Sequence, residues 1–419
     1  MIHLGMIKRF IAIWVIYWLV YFIQPVYSIY PNVIQAFILQ LSFVVITCLF
    51  FFISSSGGAR TPANINISFR FDNAVFIVRC GIILSIIGLL FLLYDKIVIQ
   101  QIDYSQGLAA ARQEWRVLGE ERDSTSSSIF SAIGYLLGGT YFISLSIVLS
   151  RLLVLPDKSR FIYLMICAVL IFVNSAITGG RSSILLAIIF GSFGYFTKNG
   201  NISQSKLFQN KSLMKYFKII IFLGGIYSVF IFYERAQAGD QLVGAYGIAF
   251  LGYLGLAPND WFTHVAYETE WGAGASLLNL AVSYLTHSFA TTAVIVESAN
   301  GYGDVLFVNF MQIGAKFGLT SQPTDWFLGG RFSSFPGALY FQYGLMGLVV
   351  GSVLLGIIAG TLSRAFAANP TKISLFFSCS IFELILLMSP FLFAGEFLFF
   401  PSVVIGGLLT IFLSKLRSV

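Results

Sequence analysis

The sequence predicts an all-α polytopic integral membrane protein with 10–12 transmembrane helices. Of its 419 residues, 57% are hydrophobic and only 10% are charged, whereas soluble globular domains carry about 25% charged residues. Mean hydropathy is +0.85, and apolar runs close to the roughly 20 residues that cross a bilayer recur along the chain. Aromatic residues (16%) and the 39 glycines agree with this class, because membrane bundles are rich in interfacial aromatics and helix-packing glycines.

The candidate spans form one transmembrane domain, residues 1–419. They cover residues 10–30, 33–53, 73–93, 128–150, 161–177, 183–197, 216–233, 337–363, 373–391 and 396–414. Two further stretches, ASLLNLAVSYLTHSFATTAVIVES and LVGAYGIAFLGYLGLAP, are also apolar enough to enter the membrane. Ten spans result if neither stretch crosses and twelve if both do.

Basic residues are concentrated on alternate connections between the spans. Because cytoplasmic connections are enriched in Lys and Arg, this pattern predicts that both termini are cytoplasmic. It also explains the net charge of +7 without a nucleic-acid partner. The predicted cytoplasmic set is Lys8, Arg9, Arg60, Arg70, Arg151, Lys158, Arg160, Lys198, Lys206, Lys211, Lys215, Lys218, Arg364, Lys372, Lys415 and Arg417.

Two connections on the predicted outer side are long. Residues 94–127 are predicted to form a charged extracytoplasmic loop, and residues 234–336 a second loop of about a hundred residues. The two additional apolar stretches lie in this second loop, as re-entrant segments or as extra membrane helices. The outer half of the protein is therefore expected to carry its specialised surface.

Two similar phrases, TGGRSS at 178–183 and GGRFSS at 329–334, each precede an apolar run. Their glycines permit close backbone approach, and their serines can cap the following helix. A helix N-terminus with free N–H donors beside an arginine is suited to binding phosphate. Arg181 and Arg331 are therefore candidate pyrophosphate-binding residues. The alternative is that each arginine only anchors its turn at the lipid headgroups.

Three further arginines are secondary candidates for the same anion site. Arg112 and Arg116 lie four residues apart, so a helix would place them on one face. The alternative for these two is a solvated surface helix with mixed charges. Arg235, beside Glu234, is either an interfacial anchor or part of the cationic rim.

General-base candidates occur in the segment NDWFTHVAYETEWG, residues 259–272. Asp260, His264, Glu268 and Trp271 are spaced so that one helix face would carry all four, with Trp261 nearby. Carboxylates and imidazole can accept hydroxyl protons, and flat aromatic rings pack against sugars. The alternative is an amphipathic helix at the membrane interface.

His287 is the only ionisable group in the middle of its apolar run, so it is a further catalytic candidate. The alternative is a hydrogen-bonded packing residue. Trp326 is a third candidate sugar-binding aromatic, with Trp261 and Trp271. The three histidines of the chain have no ligand spacing, so no metal site is predicted.

Three segments resemble Wzy-type O-antigen and oligosaccharide repeat-unit polymerases, which are related to the O-antigen ligases. They are LLYDKIVIQQIDYSQGLAAAR at 92–112, ITGGRSSILL, and GGRFSSFPGALYFQYGLMGLVVG. The resemblance implies a GT-C-like bundle and a metal-independent, inverting glycosyltransferase without a cofactor. Some members carry glycines eleven residues after their arginines. Gly191 stands ten residues after Arg181 and no glycine stands eleven after Arg331, so the chain departs from that pattern.

The implied reaction moves a growing glycan from undecaprenyl pyrophosphate onto a new lipid-linked repeat unit, at the periplasmic face of a bacterial inner membrane. Arg181 and Arg331 would hold the pyrophosphate, and Asp260, His264, Glu268 or His287 would take the acceptor proton. The implied partners are the lipid-linked donor and acceptor, membrane lipids, a chain-length regulator and a flippase. An O-antigen ligase, and a polysaccharide flippase or secondary transporter, are the alternatives.

Overall fold

A computed structural model describes most of the chain. The described residues are 2–56, 71–105, 107, 111, 114, 128–150, 153, 155–178, 182–197, 222, 226, 230, 232–234, 236, 243–297, 304–324, 328, 331–369, 372–391 and 400–416. Within them, the protein is a helical bundle with one short two-stranded ribbon. The predicted class, an all-α polytopic membrane protein, is confirmed at that level.

The N-terminal half of the described chain contains helices that match several predicted spans. They are α1 (Ile2–Ile23), α2 (Val33–Ser55), α3 (Phe71–Tyr94), α4 (Ile129–Leu137), α5 (Tyr141–Leu149), α6 (Asp157–Thr178) and α7 (Ser182–Thr197). Strand β1 (Val26–Ser28) lies between α1 and α2, and a π-helical turn, Asp95–Ile99, continues α3. The membrane segments are apolar on nearly all sides, as expected for helices surrounded by lipid and by each other.

The C-terminal half contains both short helices and long ones. They are α8 (Val243–Tyr253), α9 (Asp260–Glu268), α10 (Gly272–Thr286), α11 (Ser288–Glu297), α12 (Val308–Lys316), α13 (Phe335–Ala368), α14 (Ile373–Met388) and α15 (Phe400–Leu416). Strand β2 (Leu256–Pro258) follows α8. The predicted 234–336 loop is thus largely helical where it is described, and α11 is buried in the bundle against α2 and α13.

Several described helical segments are long and apolar enough to cross a membrane. Six reach that length: Gly5–Ile23, Val33–Ser55, Ala74–Ile99, Ile129–Leu149, Lys158–Thr178 and Phe335–Ala368. Shorter apolar helices cover Ser288–Glu297, Ile373–Met388 and Phe400–Leu413. The predicted span 183–197 is the 16-residue helix α7, and most of span 216–233 lies outside the described residues.

Helices α2 and α13 pack closely along the halves that are predicted to lie nearer the cytoplasm. Glycines in α13 allow the two backbones to come this close. A Cβ atom on Gly356 would lie 2.6 Å from the Thr47 carbonyl oxygen, and one on Gly360 would lie 2.6 Å from the Phe51 carbonyl oxygen. Small residues spaced four apart let helix backbones approach in membranes. The Thr47 hydroxyl donates to the Ser352 carbonyl, and one turn later in both helices the Phe51 backbone lies against Gly356. Because the contacts advance together, the two helices run in the same direction here.

Helix α13 reverses direction at Gly344, whose φ of 63° and ψ of −159° are not helical. A Cβ atom on Gly351 would lie 2.8 Å from the Leu339 side chain, whereas twelve residues of a straight helix span about 18 Å. Residues 335–343 therefore form a half-helix that folds back against the long part of α13. The sequence predicted a span over 337–363 without this reversal.

The connections predicted to share the outer side meet at one end of the bundle. Strand β1, between α1 and α2, pairs antiparallel with β2 of the 234–336 segment, with Tyr27 opposite Ala257. The hydroxyl of Tyr104, after α3, donates to the Ile177 carbonyl at the end of α6 (3.2 Å). A Cβ atom on Gly107 would lie 3.8 Å from the Glu234 carboxylate. Each of these contacts joins segments that are far apart in sequence.

Candidate functional site

Arg331 is the described arginine of the two Gly-Gly-Arg phrases, and two tyrosines hold it. Its Nη1 donates to the Tyr30 hydroxyl at 2.6 Å, and its guanidinium carbon lies 5.7 Å from the ring centroid of Tyr253. The side chain is half-buried. Among the described residues, no carboxylate lies within 4.0 Å of this guanidinium. A phenol and an aromatic face orient the cation without neutralising its charge.

The short β ribbon explains why Tyr30 and Tyr253 converge on Arg331. The Ile29 N–H donates to the Gly255 carbonyl at 3.1 Å, next to the last ribbon pair. Gly255 has a φ of +77°, and a Cβ atom there would lie 2.6 Å from the Tyr30 ring and 3.2 Å from Arg331 Nη1. Only glycine fits both this backbone conformation and this space. The ribbon therefore positions the partners of Arg331.

The serines after Arg331 anchor its loop inside the bundle. Ser334 is the N-cap of α13, accepting from the Gly337 N–H at 3.3 Å, as the sequence predicted for this phrase. Its hydroxyl also hydrogen-bonds Thr292 Oγ1 of α11 at 2.8 Å, and Thr292 accepts from Gln40 of α2. Gln40 is seven residues into α2, about 10 Å along its axis. The half-helix thus begins within the bundle.

A second anchor joins this loop to the end of α14. The Phe335 N–H donates to the Ser389 carbonyl at 2.8 Å, and the Trp14 indole donates to the Ser389 hydroxyl at 3.0 Å. Ser288 donates to the Pro390 carbonyl at 2.6 Å and hydrogen-bonds Tyr17 at 2.6 Å. Buried polar groups of this kind are costly unless paired. Because each of these groups has a hydrogen-bond partner here, the bonds fix the position of the loop relative to α1, α11 and α14.

His287 lies at the junction of α10 and α11, with 1% of its surface exposed. Its Nε2 accepts from the Phe332 backbone N–H at 3.1 Å, and its Nδ1 lies 2.7 Å from the Tyr284 carbonyl oxygen. The backbone of His287 itself has helical φ and ψ, so α11 continues directly from α10. The predicted catalytic candidate is therefore next to Arg331 in space, through residue 332.

Arg181 lies outside the described residues, but both helices that flank it are described. Ser183, in the first turn of α7, donates to Asn174 Oδ1 of α6 at 3.1 Å. Thr178 donates back to the Asn174 carbonyl at 2.9 Å. Asn174 and Ser183 are fully buried. The two helices on either side of Arg181 are therefore joined by a buried hydrogen bond. The sequence predicts that Ser182 or Ser183 caps α7. In the structure, the Ser183 hydroxyl instead joins α7 to α6 through Asn174.

Arg112, Arg116, Arg235 and Trp326 also lie outside the described residues. Arg112 and Arg116 belong to the loop 94–127, whose first residues are described. There Asp95 accepts hydrogen bonds from Gln100 Nε2 (2.5 Å) and from the Ser128 hydroxyl. Ser128 in turn caps α4. Partial burial lowers the pKa of the Lys316 amine, and the negative charge of Asp95 opposes that shift. The two ends of loop 94–127 are therefore held together next to α12.

The predicted general bases of α9 face outward. His264 Nδ1 lies 2.8 Å from Glu268 Oε2, and these side chains are 62% and 66% exposed. Trp261 is 64% and Trp271 82% exposed. The helix ends at Glu268, and Trp271 is the N-cap of α10. The prediction that Trp271 shares the helical face of residues 260, 264 and 268 is therefore wrong.

Among the described residues, no ion pair joins Asp260, His264 or Glu268 to Arg331. Asn259 caps α9 by accepting from the Phe262 N–H at 2.8 Å. Five residues separate Asp260 from Gly255, which lies beside Arg331, and an extended chain of that length spans at most about 17 Å. A substrate with several sugar rings could bridge a separation of up to that length.

One polar face was missed by the sequence reasoning. Helix α10 buries Ser276, Asn279, Ser283 and Thr286, each at most 6% exposed. Their spacing of three, four and three residues places them on one face that ends at His287. Ser276 Oγ, Asn279 Nδ2 and Ser283 Oγ have no hydrogen-bond partner within the described parts of the chain. Helical spacing of polar residues inside an apolar run was the signal that could have revealed it.

Comparison of the chain with known protein families finds no matching family model. Comparisons with curated proteins and with solved structures find no significant match either.

Proposed function

We propose that the chain polymerises undecaprenyl-pyrophosphate-linked oligosaccharide repeat units into O-antigen or a similar surface polysaccharide. In this proposal it is a metal-independent, inverting glycosyltransferase of the bacterial inner membrane. Its GT-C-like bundle has both termini in the cytoplasm and its active site at the periplasmic face. It acts on lipid-linked donor and acceptor glycans and works with a chain-length regulator and a flippase.

The observation that carries the proposal is the state of Arg331. This guanidinium is half-buried, is oriented by Tyr30 and Tyr253, and has no carboxylate within 4.0 Å among the described residues. An arginine fork binds phosphate in a bidentate manner. A cation kept oriented but not neutralised is suited to hold the diphosphate of a lipid-linked donor at this end of the bundle.

The chemistry is a displacement at the anomeric carbon of the donor glycan. The acceptor hydroxyl oxygen forms the new C–O bond, and the bond to the pyrophosphate oxygen breaks with its electron pair. Negative charge then builds on the departing diphosphate, where Arg331 and Arg181 stabilise it. The acceptor proton goes to a base on the outer surface, for which Asp260, His264 and Glu268 are the candidates. Arg112, Arg116 and Arg235 extend the cationic surface, and Trp261, Trp271 and Trp326 stack on sugar rings.

The proposal is tested by deleting the gene and examining the lipopolysaccharide on a gel. Lipid A core carrying a single repeat unit is the expected result. Bare core with retained lipid-linked polymer would identify a ligase, and unchanged long chains would reject both activities. Complementation with Arg331→Ala should fail to restore long chains. Arg331→Lys should restore them poorly, because an ammonium group does not reproduce the guanidinium fork.

One observation favours a second candidate, a polysaccharide flippase or secondary transporter. Transporters often use broken helices whose half-helix N-termini face anionic substrates within the membrane. The half-helix 335–343 has that form, because it begins inside the bundle and reverses at Gly344. Lipid-linked repeat units that accumulate on the cytoplasmic face of the deletion strain would favour this candidate. Accumulation on the periplasmic face would favour the polymerase.

A further inference from the structure

The two ring nitrogens of His287 have different hydrogen-bond roles. The Phe332 backbone N–H can only donate, so Nε2, 3.1 Å away, must accept and carries no proton. The Tyr284 carbonyl oxygen can only accept, so Nδ1, 2.7 Å away, must carry the proton. These two bonds define a neutral imidazole in the Nδ1–H form. A second proton on Nε2 would face the Phe332 N–H and break this arrangement.

We propose that His287 is a positioning residue that fixes the Arg331 loop, and that it is not the general base. Phe332 follows Arg331 directly, so the bond from its N–H to Nε2 sets the direction in which the Arg331 side chain leaves the backbone. The catalytic consequence rests on the proposed function, whereas the hydrogen-bond arrangement does not. The assignment revises the prediction that His287 accepts the acceptor proton.

The surroundings of His287 agree with a fixed, non-reacting ring. The residue is 1% exposed, and its ring packs against those of Tyr284 and Phe332, with centroids 5.4 and 5.7 Å away. The adjacent Ser288 is tied to Tyr17 and to the Pro390 carbonyl. A general base must reach the proton that it removes. In His287 the lone pair of Nε2 already accepts from the Phe332 N–H, and the proton of Nδ1 is already donated to the Tyr284 carbonyl.

The His287 bond holds the residue that directly follows Arg331, and the Ser334 anchor holds the same loop two residues further on. Ser334 bonds Thr292, five residues after His287 on the continuing helix α11. Helices α10 and α11 therefore hydrogen-bond the loop at two points, through His287 to the Phe332 N–H and through Thr292 to Ser334. A guanidinium held within a fraction of an ångström of its working position retains its effect on the reaction, and a looser one loses it.

The first test is independent of any activity. The full-length protein, labelled with ¹⁵N at its three histidines and held in lipid nanodiscs, is studied by NMR near pH 7. The His287 signals are assigned by their loss in His287→Gln. We expect a protonated Nδ1 and an unprotonated Nε2. A proton on Nε2, or rapid exchange between the two forms, would overturn the proposal.

The second test uses the polymerisation rate with purified lipid-linked repeat units. His287→Ala leaves the Phe332 N–H without its acceptor and should lower kcat by about tenfold or more. His287→Gln places an amide oxygen near the Nε2 position, so it should recover most of that loss. The pH profile of His287→Gln should match that of the wild type, because the neutral His287 ring of this proposal takes up no proton during the reaction.

The outcomes separate the two proposals. A glutamine variant as slow as the alanine variant, with one limb of the pH profile missing, would show that His287 is the base. If Arg331→Ala polymerises normally, the proposed function fails, while the NMR result still decides the hydrogen-bond assignment. If His287→Ala does not fold, the glutamine variant and the wild-type spectrum keep the proposal testable.

Discussion

Arg331 Nη1 donates a hydrogen bond of 2.6 Å to the Tyr30 hydroxyl, across 301 residues of sequence. The bond joins the loop before α13 to the turn between α1 and α2. Since Tyr30 is uncharged, the bond orients the guanidinium and leaves its positive charge available to a phosphate. The same relationship yields a direct prediction.

Tyr30→Phe should lower the polymerisation rate by about tenfold, because a hydrogen bond to a charged group contributes about 1.5–3 kcal/mol. The ring, and therefore the packing against Gly255, would be retained. Tyr253→Phe is the matched control, because the contact of Tyr253 with Arg331 is made by the ring face. Rates of both variants are measured with lipid-linked repeat units. Equal losses in the two variants would contradict the role assigned to the Tyr30 hydroxyl.

The Asn174–Ser183 bond should matter for the hairpin that carries Arg181. Asn174→Leu conserves the approximate volume but removes the acceptor of the Ser183 hydroxyl. We expect a loss of long-chain polymer of about fivefold or more, with normal protein levels, from one lost buried hydrogen bond. Ser183→Ala should produce a similar loss. The double variant should be no worse than either single one, and additive losses would show that the two residues act separately.

Gly344 should resist substitution because of its backbone alone. Among the described residues, no atom beyond its local backbone lies within 4 Å of a Cβ placed there, but its φ and ψ fall in a region that is essentially restricted to glycine. Gly344→Ala should lower the free energy of unfolding by about 1–3 kcal/mol. Gly274→Ala, in α10 and equally uncrowded, is the control and should be neutral or stabilising by up to about 1 kcal/mol. Thermal unfolding in detergent decides between them, and equal midpoints would argue against the reversal.

The two described ion pairs should contribute very differently to stability. Glu383, 1% exposed, pairs with Arg9 through two hydrogen bonds, one of them 2.9 Å from Arg9 Nη2 to Glu383 Oε2. Glu383→Gln should lower the free energy of unfolding by about 2 kcal/mol or more. Glu268→Gln, in the exposed pair with His264, should change it by less than about 1 kcal/mol. A smaller effect at Glu383 than at Glu268 would contradict the burial of the first pair.

The membrane class and the positions of several helices could be predicted from sequence because apolar length and charge placement are local properties. The helix cap at Ser334 could also be predicted, because capping depends on the residue and on its immediate neighbours. The reversal at Gly344 could not. It lies in an apolar run that also contains Gly337, Gly347 and Gly351, and nothing local shows which glycine adopts a positive φ.

The partners of the candidate site residues were beyond sequence reasoning, because long-range packing selects them. Tyr30 reaches Arg331 only because β1 pairs with β2, and two three-residue strands leave almost no pattern in a helical protein. His287 was identified as unusual, but its partner is a backbone N–H that no residue type reveals. The exposed cluster on α9 is predictable from composition, whereas the lack of an ion pair between it and Arg331 among the described residues needed the three-dimensional arrangement.

The most direct measurement of the central claim is the binding of a polyprenyl diphosphate to the purified protein in nanodiscs. The wild type should bind it, and Arg331→Ala should weaken binding by about tenfold or more, from the loss of a charge-assisted contact. Arg331→Lys should recover little of that loss. Equal affinity in the wild type and in Arg331→Ala, with both proteins folded, would contradict the account.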